Sequence, residues 1–281
     1  MPTFASQGVN LYYEVTGEGF PLVWSHEFGG NYRSWDAQVK FFSRRYQVIT
    51  YAARGYPPSD VPEDPEVYSQ EHAVEDLHQL LRHLGIERAY IGGLSMGGSV
   101  ALNFGIAHPE MCRALIVAAA GAGTTNREEF LRRAETFTAA LLSQGMEAAS
   151  GDYVNSPTRL QLLRKDPKGW EEFTRDLATH SALGSAYTFR GFQMKRPTIY
   201  ALEEQLKELR VPTLVMTGDE DEPCIEPATF MKRHIPSSGL VVFPQTGHTI
   251  NLEEPDLFNR SVLDFLTAVE AGRWATRTPP Q

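Results

Sequence analysis

A serine stands between two glycines in the run Gly93-Leu94-Ser95-Met96-Gly97, where an apolar stretch ends and a helical pattern begins. At a tight strand-to-helix turn of this kind, small neighbours let the backbone of the strand and the helix approach closely. The serine hydroxyl then stands at the amino end of the helix, where the helix dipole and free N–H groups favour developing negative charge. The pattern therefore predicts that Ser95 is a nucleophile rather than an incidental serine in a glycine-rich turn.

A serine hydroxyl is a weak nucleophile at neutral pH, so it needs a general base and an acid that orients the base. Of the eight histidines, His248 follows a predicted strand over residues 240–243 and precedes the last predicted helix. Of the others, His72, His78 and His83 fall on a predicted helix, His108 and His234 lie near helix ends, His180 lies in a long helical insertion, and His26 lies in the loop after the predicted strand 21–25. We therefore predict that His248 is the base.

The orienting acid is expected after the preceding predicted strand, residues 211–216, where four acidic residues follow one another. Asp219 is close to the turn at Gly218. Asp221, three residues beyond Gly218, is better placed to reach over the edge of the sheet toward His248. We favour Asp221, with Asp219 as the alternative.

A developing oxyanion needs two converging backbone N–H groups. Met96, directly after the serine, is predicted to supply one of them. Phe28, in the loop after the predicted strand 21–25, is the best candidate for the other.

The elements that would position these residues alternate between strands and helices. Short apolar runs predict buried strands, and apolar residues at spacings of three and four predict helices. The predicted strands are 9–16, 21–25, 47–51, 89–94, 114–119, 211–216 and 240–243, with helices at 69–84, 95–107, 227–234 and from Pro255 onward. Residues 17–19 are interpreted as a hairpin turn, and Gly85 as a left-handed helix cap. This order predicts an α/β fold with a mainly parallel sheet covered on both faces.

The alternation stops over residues 123–210, called the insertion below. Three helical stripes occur there, beginning at Phe130, Trp170 and Ile199, with no convincing strand between them. We predict a core formed by residues 1–122 and 211–281, with the insertion as a helical cap. Such a cap would lie over the carboxyl ends of the strands, where ligands bind in open α/β sheets.

Composition excludes several other classes of protein. The chain has 281 residues and a net charge of −9, which disfavours nucleic acid or an anionic membrane as the main partner. No apolar stretch approaches the roughly 20 residues of a membrane span, and the first residues lack a signal-peptide layout. Two cysteines are too few for a disulfide scaffold. We expect a cytoplasmic enzyme, either a monomer or a homodimer.

In the types and order of these residues, the chain resembles the α/β-hydrolases, in particular the branch of esterases, enol-lactonases and cofactor-free perhydrolases. The resemblance covers nearly the whole chain and rests on four matches: His26 with its glycine-containing loop, Arg54-Gly55 with Ser59, residues 93–98, and Gly247-His248 before residues 251–255. It implies an eight-stranded, mostly parallel sheet, a helical cap, and no metal or organic cofactor.

Two departures from the family pattern stand out. The family usually has glycine after the loop histidine, where this chain has Glu27. Its carboxylate could position water, bind a polar group of the substrate, or bond to the backbone. The second departure, Ala52 and Pro57 where the family usually has Asp and Gly, is interpreted as structural.

The resemblance implies a serine hydrolase that cleaves a small to medium carboxylic ester or lactone, a small-molecule substrate. Alternatives that use the same three residues are hydrolysis of a carbon–carbon bond in a diketone, and perhydrolysis. A ligand receptor on a hydrolase scaffold is the alternative from another class. Candidate residues on the substrate side are His26, Glu27, Phe137, Trp170, Tyr187 and Arg190.

Overall fold

The computed structural model describes residues 2–121 and 123–277. Within these residues, eight strands form one sheet in the order β1-β2-β4-β3-β5-β6-β7-β8. β1 pairs antiparallel with β2, and β2 antiparallel with β4, while every other pair is parallel. The strands are β1 (Thr3–Ser6), β2 (Val9–Thr16), β3 (Phe20–Ser25), β4 (Tyr46–Tyr51), β5 (Ala89–Leu94), β6 (Cys112–Ala118), β7 (Thr213–Gly218) and β8 (Ser238–Phe243).

Helices follow most strands and make up the insertion. Those outside the insertion are α1 (Asp36–Phe42), α2 (Gln70–His83), α3 (Met96–Ala107), α11 (Glu222–His234), α12 (Ile250–Glu253) and α13 (Pro255–Glu270). Those inside it are α4 (Arg127–Gln144), α5 (Met146–Ala149), α6 (Gly151–Val154), α7 (Leu160–Lys165), α8 (Pro167–Ala178), α9 (Ala182–Thr188) and α10 (Glu203–Glu208). The described part of the insertion contains no strand, as predicted. None of the helices described is both long and apolar enough to cross a membrane.

The central strands are buried on both faces, which explains why the sequence shows them as continuous apolar runs. Alternate residues of β6 enter two different hydrophobic clusters: Leu115 and Val117 face one, whereas Ala114 and Ile116 face the other. Helices α2, α3 and α11 contribute to the first cluster, and α1 and α13 to the second. The predicted sheet with helices on both faces is therefore confirmed.

Three local predictions need correction. Residues 17–19 do not close a hairpin, because β4 lies between β2 and β3 in the sheet; the hairpin joins β1 to β2. The third apolar stripe of the insertion is a 3₁₀ turn (Ile199–Leu202) followed by the short α10, not one helix. β7 begins at Thr213 rather than at residue 211, after Pro212, which has no N–H for a ladder. Gly85, by contrast, has the predicted left-handed conformation, with φ of +67°.

Candidate active site

Ser95 occupies a strained turn between β5 and α3. Its φ is +56° and its ψ is −109°, and its N–H donates to the Ala118 carbonyl oxygen at 2.8 Å. Left-handed backbone is uncommon for a residue with a side chain, so the surrounding contacts must impose it. The two flanking glycines explain how. A Cβ on Gly93 would lie 2.2 Å from the Gly97 carbonyl oxygen, and one on Gly97 would lie 2.0 Å from the Ser25 oxygen.

We expect Gly97→Ala to lower the free energy of unfolding by about 3 kcal/mol or more, because backbone of β3 would have to move to admit the methyl group. Urea denaturation would measure the loss. Gly151→Ala is the matched control: Gly151 is helical, and nothing lies within 4 Å of the position its Cβ would take. That control should be stabilised slightly. Equal stability of wild type and Gly97→Ala would contradict the close approach.

His248 bridges the predicted nucleophile and the predicted acid. Its Nε2 lies 2.8 Å from the Ser95 Oγ, and its Nδ1 lies 2.7 Å from the Asp221 Oδ2. All three side chains are buried. Because the carboxylate is an acceptor, Nδ1 carries the proton, and Nε2 is left to accept the hydrogen of the Ser95 hydroxyl. This geometry can activate a serine for attack on an acyl carbon.

The loops after β7 and β8 bring Asp221 and His248 together. They pass so closely that a Cβ on Gly218 would lie 2.1 Å from the Thr246 carbonyl oxygen. Asp219, the alternative acid, instead accepts a hydrogen bond from the Thr246 N–H at 3.2 Å. The structure therefore places Asp221, and not Asp219, against His248.

Cys224 lies beside this group, with its Sγ 4.0 Å from the His248 Nδ1 and 3.2 Å from the Ala119 carbonyl oxygen. Asp221, Cys224 and His248 are near enough together to ligate one ion. A cation there would compete with the short bond between His248 and Asp221, so this cluster is better suited to hydrogen bonding than to holding a metal.

The two predicted oxyanion donors lie at the same edge of the sheet. Ser25 at the end of β3 pairs with Gly93 of β5, so the loop of residues 26–30, called the β3 loop, adjoins the start of α3. Met96 is the first residue of α3, where an N–H has no acceptor within the helix. The Phe28 carbonyl oxygen accepts a hydrogen bond from the Tyr56 hydroxyl at 3.0 Å. That bond fixes the orientation of the loop backbone.

Aromatic side chains of the insertion pack on Phe28. Ring centroids of Phe137, Tyr153 and Phe189 lie 6.1, 5.5 and 4.8 Å from that of Phe28. Phe137 was predicted on the substrate side. Tyr153 was missed, because it lies in the four-residue helix α6, which is too short to produce a periodic signal. Phe137, Tyr153 and Phe189 also line a cleft of about 650 Å³ in the insertion, and Ser95 is not among its lining residues.

The other three candidates from the insertion lie elsewhere. Trp170 packs from α8 against the hydrophobic core, and the Tyr187 ring lies 5.6 Å from that of Tyr68. Arg190 is exposed, and its Nε donates to the Thr138 Oγ1 at 3.0 Å. In the described residues none of the three has a ring contact or hydrogen bond with Ser95, His248 or Phe28. Their role toward a substrate stays a prediction.

Glu27 has a partner that the sequence did not reveal. Its carboxylate forms a buried, two-pronged ion pair with the Arg159 guanidinium, with Nη1 3.1 Å from Oε1 and Nη2 on Oε2. Burial alone would raise the pKa of Glu27, but the charge and hydrogen bonds of Arg159 outweigh it and hold that pKa below its ordinary value. The three roles considered for Glu27 did not include this pair.

His26, also predicted on the substrate side, binds backbone with both ring nitrogens. Its Nε2 accepts from the Ala53 N–H at 3.1 Å, and its Nδ1 donates to the Glu27 carbonyl oxygen at 2.7 Å. No ring nitrogen is left for a substrate, so His26 holds the β3 loop in place. Burial lowers the pKa of His26 to about 4.

His180 is a second buried histidine, with its ring 5.2 Å from the Tyr56 ring and no hydrogen-bond partner for either nitrogen among the described residues. Burial, together with His26, lowers the pKa of His180 to about 3. The unfolded chain therefore binds protons that the folded chain does not, and stability falls as the pH drops below about 6.5.

From pH 7 to pH 5 we expect His180 alone to remove about 2 kcal/mol of unfolding free energy. Urea denaturation at pH 7 and pH 5 measures the unfolding free energy that each protein loses between the two pH values. This loss should be smaller for His180→Phe than for wild type by about 2 kcal/mol. Equal losses in the two proteins would contradict a neutral, buried His180.

Comparison with known proteins agrees with the fold. The model of the α/β-hydrolase fold family matches residues 21–255. The chain belongs to that family. This α/β hydrolase is 28% identical over 263 residues to 3-oxoadipate enol-lactonase 2 of Acinetobacter baylyi, covering 92% of this chain and 94% of the relative.

Two further proteins resemble this α/β hydrolase over a similar share of its length. A Bacillus subtilis (strain 168) protein provisionally named 2-succinyl-6-hydroxy-2,4-cyclohexadiene-1-carboxylate synthase is 27% identical, over 94% of this chain and 97% of its own. The solved structure of a thermophilic esterase from Thermogutta terrifontis has a TM-score of 0.85 and 28% identity, with 95% of this chain and 97% of that one covered. The likenesses support a hydrolase acting on small molecules.

Proposed function

We propose that this protein is a serine hydrolase that cleaves a small to medium carboxylic ester or lactone through an acyl-enzyme on Ser95. The observation that carries the proposal is the continuous hydrogen-bonded chain from the Ser95 Oγ through both nitrogens of His248 to Asp221. The esterase and enol-lactonase names of the related proteins support the ester or lactone class.

In the first half of the reaction, the Ser95 Oγ attacks the acyl carbon while its proton passes to the His248 Nε2. Asp221 orients the ring and stabilises the imidazolium. The N–H groups of Met96 and Phe28 bind the oxyanion of the tetrahedral intermediate. The intermediate then collapses, the bond to the leaving oxygen breaks, and His248 returns its proton to that oxygen.

In the second half, water attacks the acyl group on Ser95, with His248 again taking the proton. The acid leaves and the Ser95 hydroxyl is restored. For a lactone, the leaving hydroxyl and the acid belong to one product molecule.

We further propose the division into a core (residues 1–122 and 211–281) and a lid (the insertion). Support comes from the contacts at Phe28, where three aromatic side chains of the insertion cover the β3 loop. A lid in this place would set which acyl groups reach Ser95 and would exclude bulk water.

Initial rates on p-nitrophenyl acetate, butyrate and octanoate, beside a γ-lactone and a 1,3-diketone, test the proposed class of substrate. We expect turnover of the esters or the lactone, with the trend in chain length giving the size of the acyl pocket. Faster cleavage of the diketone would favour the carbon–carbon hydrolase instead. Stable binding of a ligand with no turnover of any of the compounds would favour a receptor.

A further inference from the structure

Glu27 and Arg159 are 132 residues apart in sequence and join two segments that each reach the candidate active site. Both side chains are buried, at 2% and 5% exposure. The Tyr153 hydroxyl completes the group: it lies 2.6 Å from the Arg159 Nη2 and 3.4 Å from the Glu27 Oε2. It therefore accepts from the guanidinium and donates to the carboxylate.

On the side of the insertion, the residue before Arg159 already contacts the candidate base. The Thr158 carbonyl oxygen accepts a hydrogen bond from the His248 N–H at 2.7 Å. A Cβ on Gly247 would lie 2.3 Å from the same oxygen. The segment 158–159 is thus bonded to the His248 loop on one side and to Glu27 on the other.

On the side of the sheet, Glu27 directly precedes Phe28. The Gly30 N–H donates to the Glu27 carbonyl oxygen at 3.2 Å, which closes a turn around Phe28. Tyr153 packs on that turn so closely that a Cβ on Gly29 would lie 2.7 Å from its Cε1. The Phe28 N–H belongs to the peptide that Glu27 begins, so the contacts that hold Glu27 and Tyr153 lie directly beside this donor.

We propose that Glu27 and Arg159 are positioning residues, which clamp the insertion onto the β3 loop and so hold the Phe28 N–H at the oxyanion. The proposal rests on the proposed serine chemistry. It assigns a use to a carboxylate that replaces the glycine usual in the resembling family, since glycine has no side chain with which to hold an arginine. Neither residue touches the reacting atoms in this account.

The ion pair is suited to this role because its geometry is directional. Two parallel bonds between a guanidinium and a carboxylate fix the relative orientation of the two groups, which a single contact would not do. Removing one charge leaves the other buried without its partner, so the clamp is lost as a unit.

In Glu27→Gln we expect kcat for an ester substrate to fall about tenfold to a hundredfold, with KM nearly unchanged, since complete loss of an oxyanion donor costs about a hundred- to a thousandfold. We expect kcat to fall and KM to stay nearly unchanged because the oxyanion forms only after the substrate has bound. A purely structural pair would lower the melting temperature and leave kcat of the folded fraction unchanged.

Labelling by an alkyl fluorophosphonate tests the position of the Phe28 N–H at the oxyanion without any substrate. The Ser95 Oγ displaces fluoride from phosphorus, its proton passes to His248, and the phosphonyl oxygen takes the place of the oxyanion. We expect the labelling rate constant of Glu27→Gln to fall by the same factor as kcat. Unchanged labelling of the folded variant would overturn the positioning role, whereas a wild type that is not labelled at Ser95 would overturn the proposed serine chemistry itself.

Arg159→Lys keeps the positive charge but cannot form two parallel hydrogen bonds with a carboxylate. It is the test variant to use if Glu27→Gln does not fold. Its rate of labelling by the fluorophosphonate should lie between those of wild type and Glu27→Gln. The double variant Glu27→Gln/Arg159→Gln should lose little more than Glu27→Gln alone, because the two residues act together. Losses that multiply independently would contradict the clamp.

Glu254→Gln is the matched control. It removes another ion pair between insertion and core, Lys165 with Glu254 at 2.6 Å, which does not touch the β3 loop. We expect wild-type kcat and labelling from it. A loss equal to that of Glu27→Gln would overturn the specific role of the Glu27–Arg159 pair.

Discussion

Replacing Ser95 by alanine is expected to lower kcat by about a millionfold, the order of loss found when the nucleophile of a serine, histidine and aspartate unit is removed. The variant keeps the strained turn, the buried His248 and both oxyanion donors, so substrate binding should change little. The variant lacks the Ser95 Oγ. Among the described residues, this is the only atom within hydrogen-bond distance of the His248 Nε2 that can form an acyl bond. The residual rate would come from water held near the oxyanion site.

Steady-state hydrolysis of p-nitrophenyl butyrate measures this effect, and circular dichroism establishes that the variant is folded. Ser143→Ala is the control, because Ser143 is an exposed serine of α4 whose hydroxyl, in the described part of the chain, donates only within its own helix. A Ser95→Ala variant with more than about a hundredth of wild-type kcat would contradict the account.

Asp221→Asn is expected to lower kcat by about ten thousandfold. Asparagine keeps the shape of aspartate, but its amide can donate to the His248 Nδ1. The proton of the ring then moves to Nε2, the nitrogen that must accept from Ser95. The imidazolium that forms during attack also loses the charge that stabilises it.

Asp219→Asn separates this effect from a general loss of acidic charge near the loop. Asp219 is two residues away, and among the described residues its carboxylate accepts a hydrogen bond from the Thr246 N–H and not from His248, so its amide variant should keep kcat within a few-fold of wild type. The same kinetic assay compares the two. If Asp219→Asn were the slower variant, the assignment of the acid would be wrong.

Ser95 and His248 could be located from the sequence because their surroundings impose local patterns. Gly93 and Gly97 mark the strand-to-helix turn, since any Cβ there would overlap backbone. Gly218 marks the close passage of the loops that carry Asp221 and His248. The sequence favours Asp221 over Asp219 without deciding between them, because the choice depends on how two loops cross.

The ion pair of Glu27 and Arg159 leaves no local pattern at all. Three of the eight strands and the first part of the insertion lie between its members in sequence, and only packing of the insertion on the β3 loop brings them together. Tyr153 was missed because its helix of four residues produces no periodic signal. The hairpin expected at residues 17–19 failed because strand order is a long-range property: β4 enters the sheet between two strands that are neighbours in sequence.

Trapping the acyl-enzyme identifies the nucleophile. Wild-type protein is mixed with excess p-nitrophenyl butyrate, quenched in acid within the first turnovers, digested and analysed by mass spectrometry. We expect one butyryl group per chain, carried by the peptide that contains Ser95 and absent from Ser95→Ala. An adduct on another residue, or hydrolysis by Ser95→Ala as fast as by wild type, would contradict Ser95 as the nucleophile.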